Sequence, residues 1–199
     1  MIRFLVVASL LAAAACDSKR SADDLVGCDG QTYTPAEDSP YVLPYPVGES
    51  YRMNLGNCSP SHPFHGPNSN DRYAYDFNTQ IGDAITASRP GRVVYIEESG
   101  RDGGHPNNLV VVDHGDGTFA QYMHLTLFGA EVEVGDTIER GDLVGRSGNT
   151  GLAGYPHLHF VVTEGGWAWP YDPVPVTFSN ANPQDGVLQE GRTYRAEAY

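Results

Sequence analysis

His157 and His159 stand one residue apart in GYPHLHFVV, residues 154–162. Alternate side chains of an extended strand share a face, so the two imidazoles project together while Leu158 and Phe160 enter the core. Neighbouring imidazoles on one face can divide the work, one ligating a metal and the other moving a proton. A pair of hydrogen-bonded histidines that bind nothing is the plainer alternative. RYAYDFN, residues 72–78, places Asp76 with the small Ala74 on one face and Tyr73, Tyr75 and Phe77 on the other. AQYMHLT, residues 120–126, puts His124 on the face of Tyr122, with Met123 and Leu125 opposite. A ligand set of histidine, aspartate and histidine suits a catalytic zinc that keeps one coordination position open for water.

Strands must position these groups. GRVVYIEE, NNLVVVDHG, TFAQYMHL, AEVEVGDTIERG and PHLHFVV are short alternating or apolar runs, separated by turn sequences such as GDGT, SGNTG and EGGW. No stretch of ten or more residues after the N-terminal segment combines helical periodicity with good caps, and 23 glycines and 14 prolines supply the punctuation of an antiparallel β domain. Residues 41–180 are expected to form that domain, preceded by an acidic, turn-rich linker over 16–40 and followed by a polar C-terminal tail over 181–199 that is either an edge strand or disordered.

The first residues, MIRFLVVASLLAAAAC, have a basic start at Arg3, an apolar core over 4–11 and small residues up to Cys16, which is the anatomy of a secretion signal over 1–15. The alanine run ending in cysteine resembles the lipobox of bacterial lipoproteins. Ala13 stands where those signals usually carry leucine, and ordinary cleavage after Ala15 is the alternative. The expected protein is therefore exported, periplasmic or in the cell envelope, and touches a membrane only through a lipid on Cys16. Cys28 and Cys58 then remain as an even pair in an oxidising compartment, and a disulfide between them would tie the N-terminal arm to the domain. A formal charge of −13 sets a repulsive field against polyanions, which excludes nucleic acid as a partner. A monomer is expected.

Four segments in fixed order, YAYDFNTQIGDAITASRPGRVVYIEESG, NNLVVVDHGDGTFAQYMHL, VEVGDTIERGDLVGRSGNTG and PHLHF, resemble the lysostaphin-type (LytM-like) zinc metallopeptidases, which cut the peptide part of bacterial cell walls. The resemblance spans about residues 41–180. It implies an all-β, mainly antiparallel fold with a long groove across the sheet. It further implies that Asp76 and His159 bind Zn2+ together with an upstream histidine, while His157 and His124 flank the attacking water and the substrate carbonyl. That upstream histidine usually lies four residues before the aspartate, where this chain has Arg72, which cannot bind zinc. The candidates are His62 and His65 in CSPSHPFHGPNSND. GNCSPSH resembles the Ser-His pair that some members carry after a GN turn, so His62 is the preferred ligand and His65 the alternative.

On this reading the chain is a zinc metalloendopeptidase acting on peptidoglycan stem peptides or crossbridges, with His124 and His157 sharing the acid–base work in either order. The other reading is a catalytically impaired wall-binding or amidase-activating module of the same fold, and Arg72 is the feature that raises it. His114 is expected to be structural. His105 is expected to be a solvated loop residue or a groove contact. Trp167, Trp169 and Tyr171 would cap the core or, alternatively, meet a wall stem.

Overall fold

The computed structural model describes residue 28, residues 30–60 and residues 62–199. Thirteen strands follow one another along these residues. β1 (Ser50–Leu55), β2 (Tyr75–Phe77), β3 (Ala84–Thr86), β4 (Gly91–Glu97), β5 (Leu109–Asp113) and β6 (Thr118–Met123) form the first half. β7 (Leu125–Ala130), β8 (Thr137–Ile138), β9 (Leu143–Ser147), β10 (Leu158–Glu164), β11 (Asp172–Pro173), β12 (Ala181–Asn182) and β13 (Thr193–Ala196) complete it. Among the described residues the helical content is one 3-10 turn, Ala36–Asp38. The all-β, antiparallel expectation is met.

A large sheet runs in the order β12-β13-β1-β2-β10-β6-β5-β4-β8, with β11 hydrogen-bonded to β10, and β3-β9-β7 form a second, smaller sheet. The β5–β6 hairpin shows why the sequence folds this way. Val110 and Val112 point into the main core with Ala120 and Tyr122 of the facing strand. The intervening HGDG turn takes positive φ at Gly115 and Gly117, where a side chain would be strained. Asp113 and Asp116 accept backbone N–H bonds from Gly115 and Thr118 across the same turn. The main core continues through Tyr75, Phe77, Leu158, Phe160 and Phe178, all buried. On the opposite side of β10 a small cluster of Ala74, Met123, Val161 and Tyr171 forms the floor beside the candidate site.

Both flanks of the domain pack more fully than their composition suggests. Residues 30–40 were expected to be a linker, yet Tyr33, Ala36 and Ser39 are buried. The Ser39 hydroxyl donates to the Thr177 carbonyl at 2.5 Å, and Thr177 Oγ1 donates to Thr34 O at 2.9 Å. Beyond residue 180, β13 pairs with β1, and Tyr194 is fully buried with its carbonyl accepting from Tyr45. The packed unit thus extends past 41–180 at both ends. Cys28 and Cys58 are joined by a disulfide, with Cα atoms 5.1 Å apart. The segment expected to be a secretion signal, and Cys16, lie outside the described residues. No helix of the described residues is long and apolar enough to cross a membrane.

Candidate active site

Register brings the first two groups together. In the β2–β10 pair His159 lies directly across from Asp76, with Leu158 opposite Phe77 and Phe160 opposite Tyr75. The aromatic and leucine side chains of this ladder fill the core, and alternation turns Asp76 and His159 to the other face. His157 precedes β10 in an isolated bridge to Gly148. That bridge needs a glycine, because a Cβ at position 148 would run into the backbone of Thr126.

His124 reaches the site by a route that strand alternation misses. It follows the last residue of β6 and has φ of +64°. The left-handed step breaks the alternation that would have placed it with Tyr122. Tyr122 stays in the core, and the His124 ring instead lies 4.6 Å from the His157 ring and 5.6 Å from the His159 ring, centroid to centroid.

The upstream histidine that lies beside Asp76 is His65, the alternative, rather than the preferred His62. His65 enters the site, with Nε2 3.3 Å from Asp76 Oδ1 and its ring edge-on to His159 at 5.2 Å. His62 belongs to neither potential ligand group among the described residues; it is half-buried, packs against Phe64 and lines the cleft. The reason is local: a run of tight turns between Pro63 and Arg72, closed by backbone bonds from Gly66 to Pro63, Ser69 to Gly66 and Arg72 to Ser69, buries His65 against β2. The bridge from Cys58 to Cys28 anchors the upstream end of this loop.

Asp76 is buried beneath three imidazoles. Its Oδ1 lies 2.9 Å from His159 Nδ1 and 3.3 Å from His65 Nε2, and its Oδ2 lies 3.6 Å from His157 Nε2. Burial opposes charge on this carboxylate, but hydrogen bonds from His159 and His65 outweigh it and hold the group well below the usual carboxylate range. His159 has carboxylates on both sides, its Nε2 being 3.3 Å from Asp71 Oδ1. Burial alone would push its pKa down; Asp71 and Asp76 together raise it to about 10.

The other two histidines are prepared differently. His124 Nδ1 lies 2.7 Å from the Thr150 carbonyl, and His157 Nδ1 lies 2.8 Å from the Tyr155 carbonyl. A carbonyl only accepts, so each Nδ1 carries the proton and each Nε2 of the neutral ring presents a lone pair. Burial, reinforced by His157 and His159, lowers the His124 pKa to about 3, and burial also lowers that of His157 despite the pull of Asp76. Both rings are therefore neutral proton acceptors at neutral pH. Asn108 braces this arrangement: its side chain bonds the backbone of Gly100 and Thr126, and its N–H donates to Thr150 Oγ1.

Two triads of buried groups have ligand atoms within 4.8 Å of one another, His65–Asp76–His159 and His124–His157–His159. The first contains the carboxylate, so its charge and donor types fit a dication such as zinc. The cleft around it is about 990 Å³ and is lined by His62, Phe64, Tyr95, Leu152 and Trp169 among others, with no lysine, arginine or glutamate among the described residues. Trp167 stacks on Tyr95 at 4.5 Å, and Tyr171 is buried, whereas Trp169 is 63% exposed and stands at the rim. His105 is exposed on the cleft wall, whereas His114 does not line the cleft and is bonded through Nδ1 to Pro90 O. Asp71, five residues before Asp76, escaped sequence reasoning. DRYAYD offers no pattern that separates it from a solvated loop carboxylate.

Comparison with known proteins gives concordant results. The model of Peptidase family M23 matches residues 70–173. The glycyl-glycine endopeptidase ALE-1 of Staphylococcus capitis is 38% identical over 96 residues, which is 48% of this chain and 25% of that protein. The peptidoglycan DD-endopeptidase ShyA of Vibrio cholerae is 33% identical over 139 residues, covering 66% of this chain and 30% of that protein. The chain thus spans less than a third of the length of these relatives. Among solved structures, the catalytic domain of the prophage-encoded protein EnpA from Enterococcus faecalis shares the fold, with a TM-score of 0.52, 22% identity, and coverage of 66% of this chain and 93% of that one.

Proposed function

Because the chain belongs to peptidase family M23, we propose that it is a zinc-dependent endopeptidase that cuts peptide bonds in peptidoglycan stem peptides or crossbridges. The observation that carries this reading is the buried His65–Asp76–His159 set, with two neutral imidazoles, His124 and His157, beside it in one cleft. His65, Asp76 and His159 would hold the metal. When bound, zinc would lower the pKa of a coordinated water toward ~7 and polarise the scissile carbonyl.

The protein's own residues supply the remaining chemistry. The Nε2 lone pairs of His124 and His157 are neutral proton acceptors in the cleft. After one takes the water's proton, its imidazolium can pass that same proton to the departing amine. Thr150 and Tyr155 hold the two rings through Nδ1, which fixes the tautomer the reaction requires. Away from the histidine–aspartate cluster the described lining is aromatic, apolar and amide, without lysine, arginine or glutamate, which favours a neutral peptide with small side chains over one recognised by charge.

The alternative of a non-catalytic wall-binding module was raised by Arg72 in the usual ligand position. His65 against Asp76 offers a histidine in place of the one missing at Arg72 and so supports the catalytic reading. The signal-like sequence over residues 1–15 supports action outside the cytoplasm, where peptidoglycan lies, with or without a lipid on Cys16. The test is digestion of crosslinked muropeptides by zinc-loaded protein, read by mass spectrometry. New peptide termini that disappear in Asp76→Ala support the proposal, and intact crosslinks beside a positive-control endopeptidase sink it.

A further inference from the structure

Asp71 is tied down from several directions. Its N–H donates to Ser69 Oγ at 3.0 Å, and its carbonyl accepts from Ala74 N at 2.9 Å. The Tyr171 hydroxyl donates to Asp71 Oδ1, the same oxygen that faces His159 Nε2 at 3.3 Å. Tyr171 immediately precedes β11, which is paired to β10, and its carbonyl accepts from Asn70 Nδ2 at 2.7 Å. The chain thus spends a half-buried carboxylate and a buried tyrosine on the far side of one imidazole.

We propose that Asp71, held by Tyr171, is a positioning residue for the metal centre: its carboxylate keeps the proton of neutral His159 on Nε2 and so aims the Nδ1 lone pair at the metal beside Asp76. This rests on the reading of His65, Asp76 and His159 as the metal-holding set. Nδ1 is the nitrogen nearest Asp76, at 2.9 Å, so it is the one that must surrender its proton to a cation there. Nε2–H then remains as a buried donor, and leaving it unpaired would be costly. Asp71 is its acceptor. Carboxylates in this outer position orient ligating imidazoles and make them more basic. The second carboxylate also brings the formal charge of Asp71 and Asp76 together to −2, matching a dication held by neutral histidines.

The test is zinc affinity by chelator competition on the disulfide-intact chain, together with ¹⁵N NMR of the His159 ring in the zinc-loaded form. Wild type should bind one zinc and show a protected Nε2–H resonance. Asp71→Ala should bind zinc roughly 10–100-fold more weakly and lose that protection. Asp71→Asn, whose amide oxygen still accepts, should recover part of the affinity, and Tyr171→Phe should lose on the order of several-fold. A purely structural role for Asp71 would not move the ring tautomer. Zinc affinity and His159 resonances in Asp71→Ala that match wild type overturn this proposal alone. Wild type that takes up no zinc overturns it together with the metal reading. Should Asp71→Ala fail to fold, unchanged affinity in both Asp71→Asn and Tyr171→Phe overturns it.

Discussion

At the residue scale the histidines separate into kinds by what their nitrogens face. His65 and His159 lie 3.3 and 2.9 Å from Asp76 Oδ1, whereas His124 and His157 have Nδ1 tied to a backbone carbonyl, with His157 Nε2 standing off Asp76 Oδ2 at 3.6 Å. The kinds should separate in measurement too. His65→Ala is expected to abolish stoichiometric zinc binding. His124→Ala and His157→Ala should retain zinc while losing on the order of 10²–10⁴ in kcat. His62→Ala should retain its zinc, and metal analysis of the purified variants checks the whole set. Zinc lost from His62→Ala and kept by His65→Ala would reverse the ligand assignment. His114 gives a prediction away from the site. Burial, aided by nearby Arg89, lowers its pKa below the ordinary 6.5. The unfolded chain therefore binds the proton more readily, and the stabilising contribution is complete above about pH 6.5 and is lost as pH falls through the folded pKa. Urea denaturation at pH 7.5 and 5.5 should show a smaller acid loss in His114→Asn than in wild type; equal losses would refute it. Strand alternation made the shared face of His157 and His159 and the placement of Asp76 legible. It failed at His124, since one left-handed residue is invisible to a period of two.

The element that decides the site is the loop before β2. The motif GNCSPSH points to His62, but the loop's own turn bonds put His65 against Asp76. Such a choice depends on several backbone hydrogen bonds acting together, and a Pro/Gly/Asn-rich run is compatible with many of them. The strands were far more legible, because alternation and punctuating turns repeat the same signal at each hairpin. The Cys28–Cys58 bridge was also readable, from the even pair left after Cys16, although its relation to the ligand loop was not. It closes 30 residues of sequence and fixes Cys58, seven residues before His65. Replacing both cysteines with serine should cost about 2–4 kcal/mol in chemical denaturation. It should also weaken zinc binding, because the loop must then be ordered by the metal itself. Unchanged zinc affinity in a folded double variant would show that the turn bonds hold His65 without the bridge.

At the scale of the whole molecule, the packing of both chain ends was hidden by composition. Residues 30–40 and 181–199 average as polar, yet Tyr33, Leu188 and Tyr194 are buried, and β13 contributes backbone bonds that no composition reports. The same strands bring β1, β2 and β10 side by side, so the site sits on a sheet whose edge is built by the C-terminal segment. Metal binding and global stability should therefore be coupled. A cation that binds the folded arrangement and not the unfolded chain stabilises it by mass action, about 2.7 kcal/mol when free zinc is 100 times its dissociation constant. For a chain of this size that corresponds to a rise in Tm of roughly 5–10 °C. Asp76→Asn removes the carboxylate charge at similar volume, and its Tm should be nearly independent of added zinc. Calorimetric scans of both proteins with zinc and with excess chelator provide the check. A wild-type Tm that ignores zinc would mean that the buried Asp76–histidine cluster is stabilised by its own ion pairs rather than by a metal, and a zinc-dependent rise that persists in Asp76→Asn would place the cation on other residues.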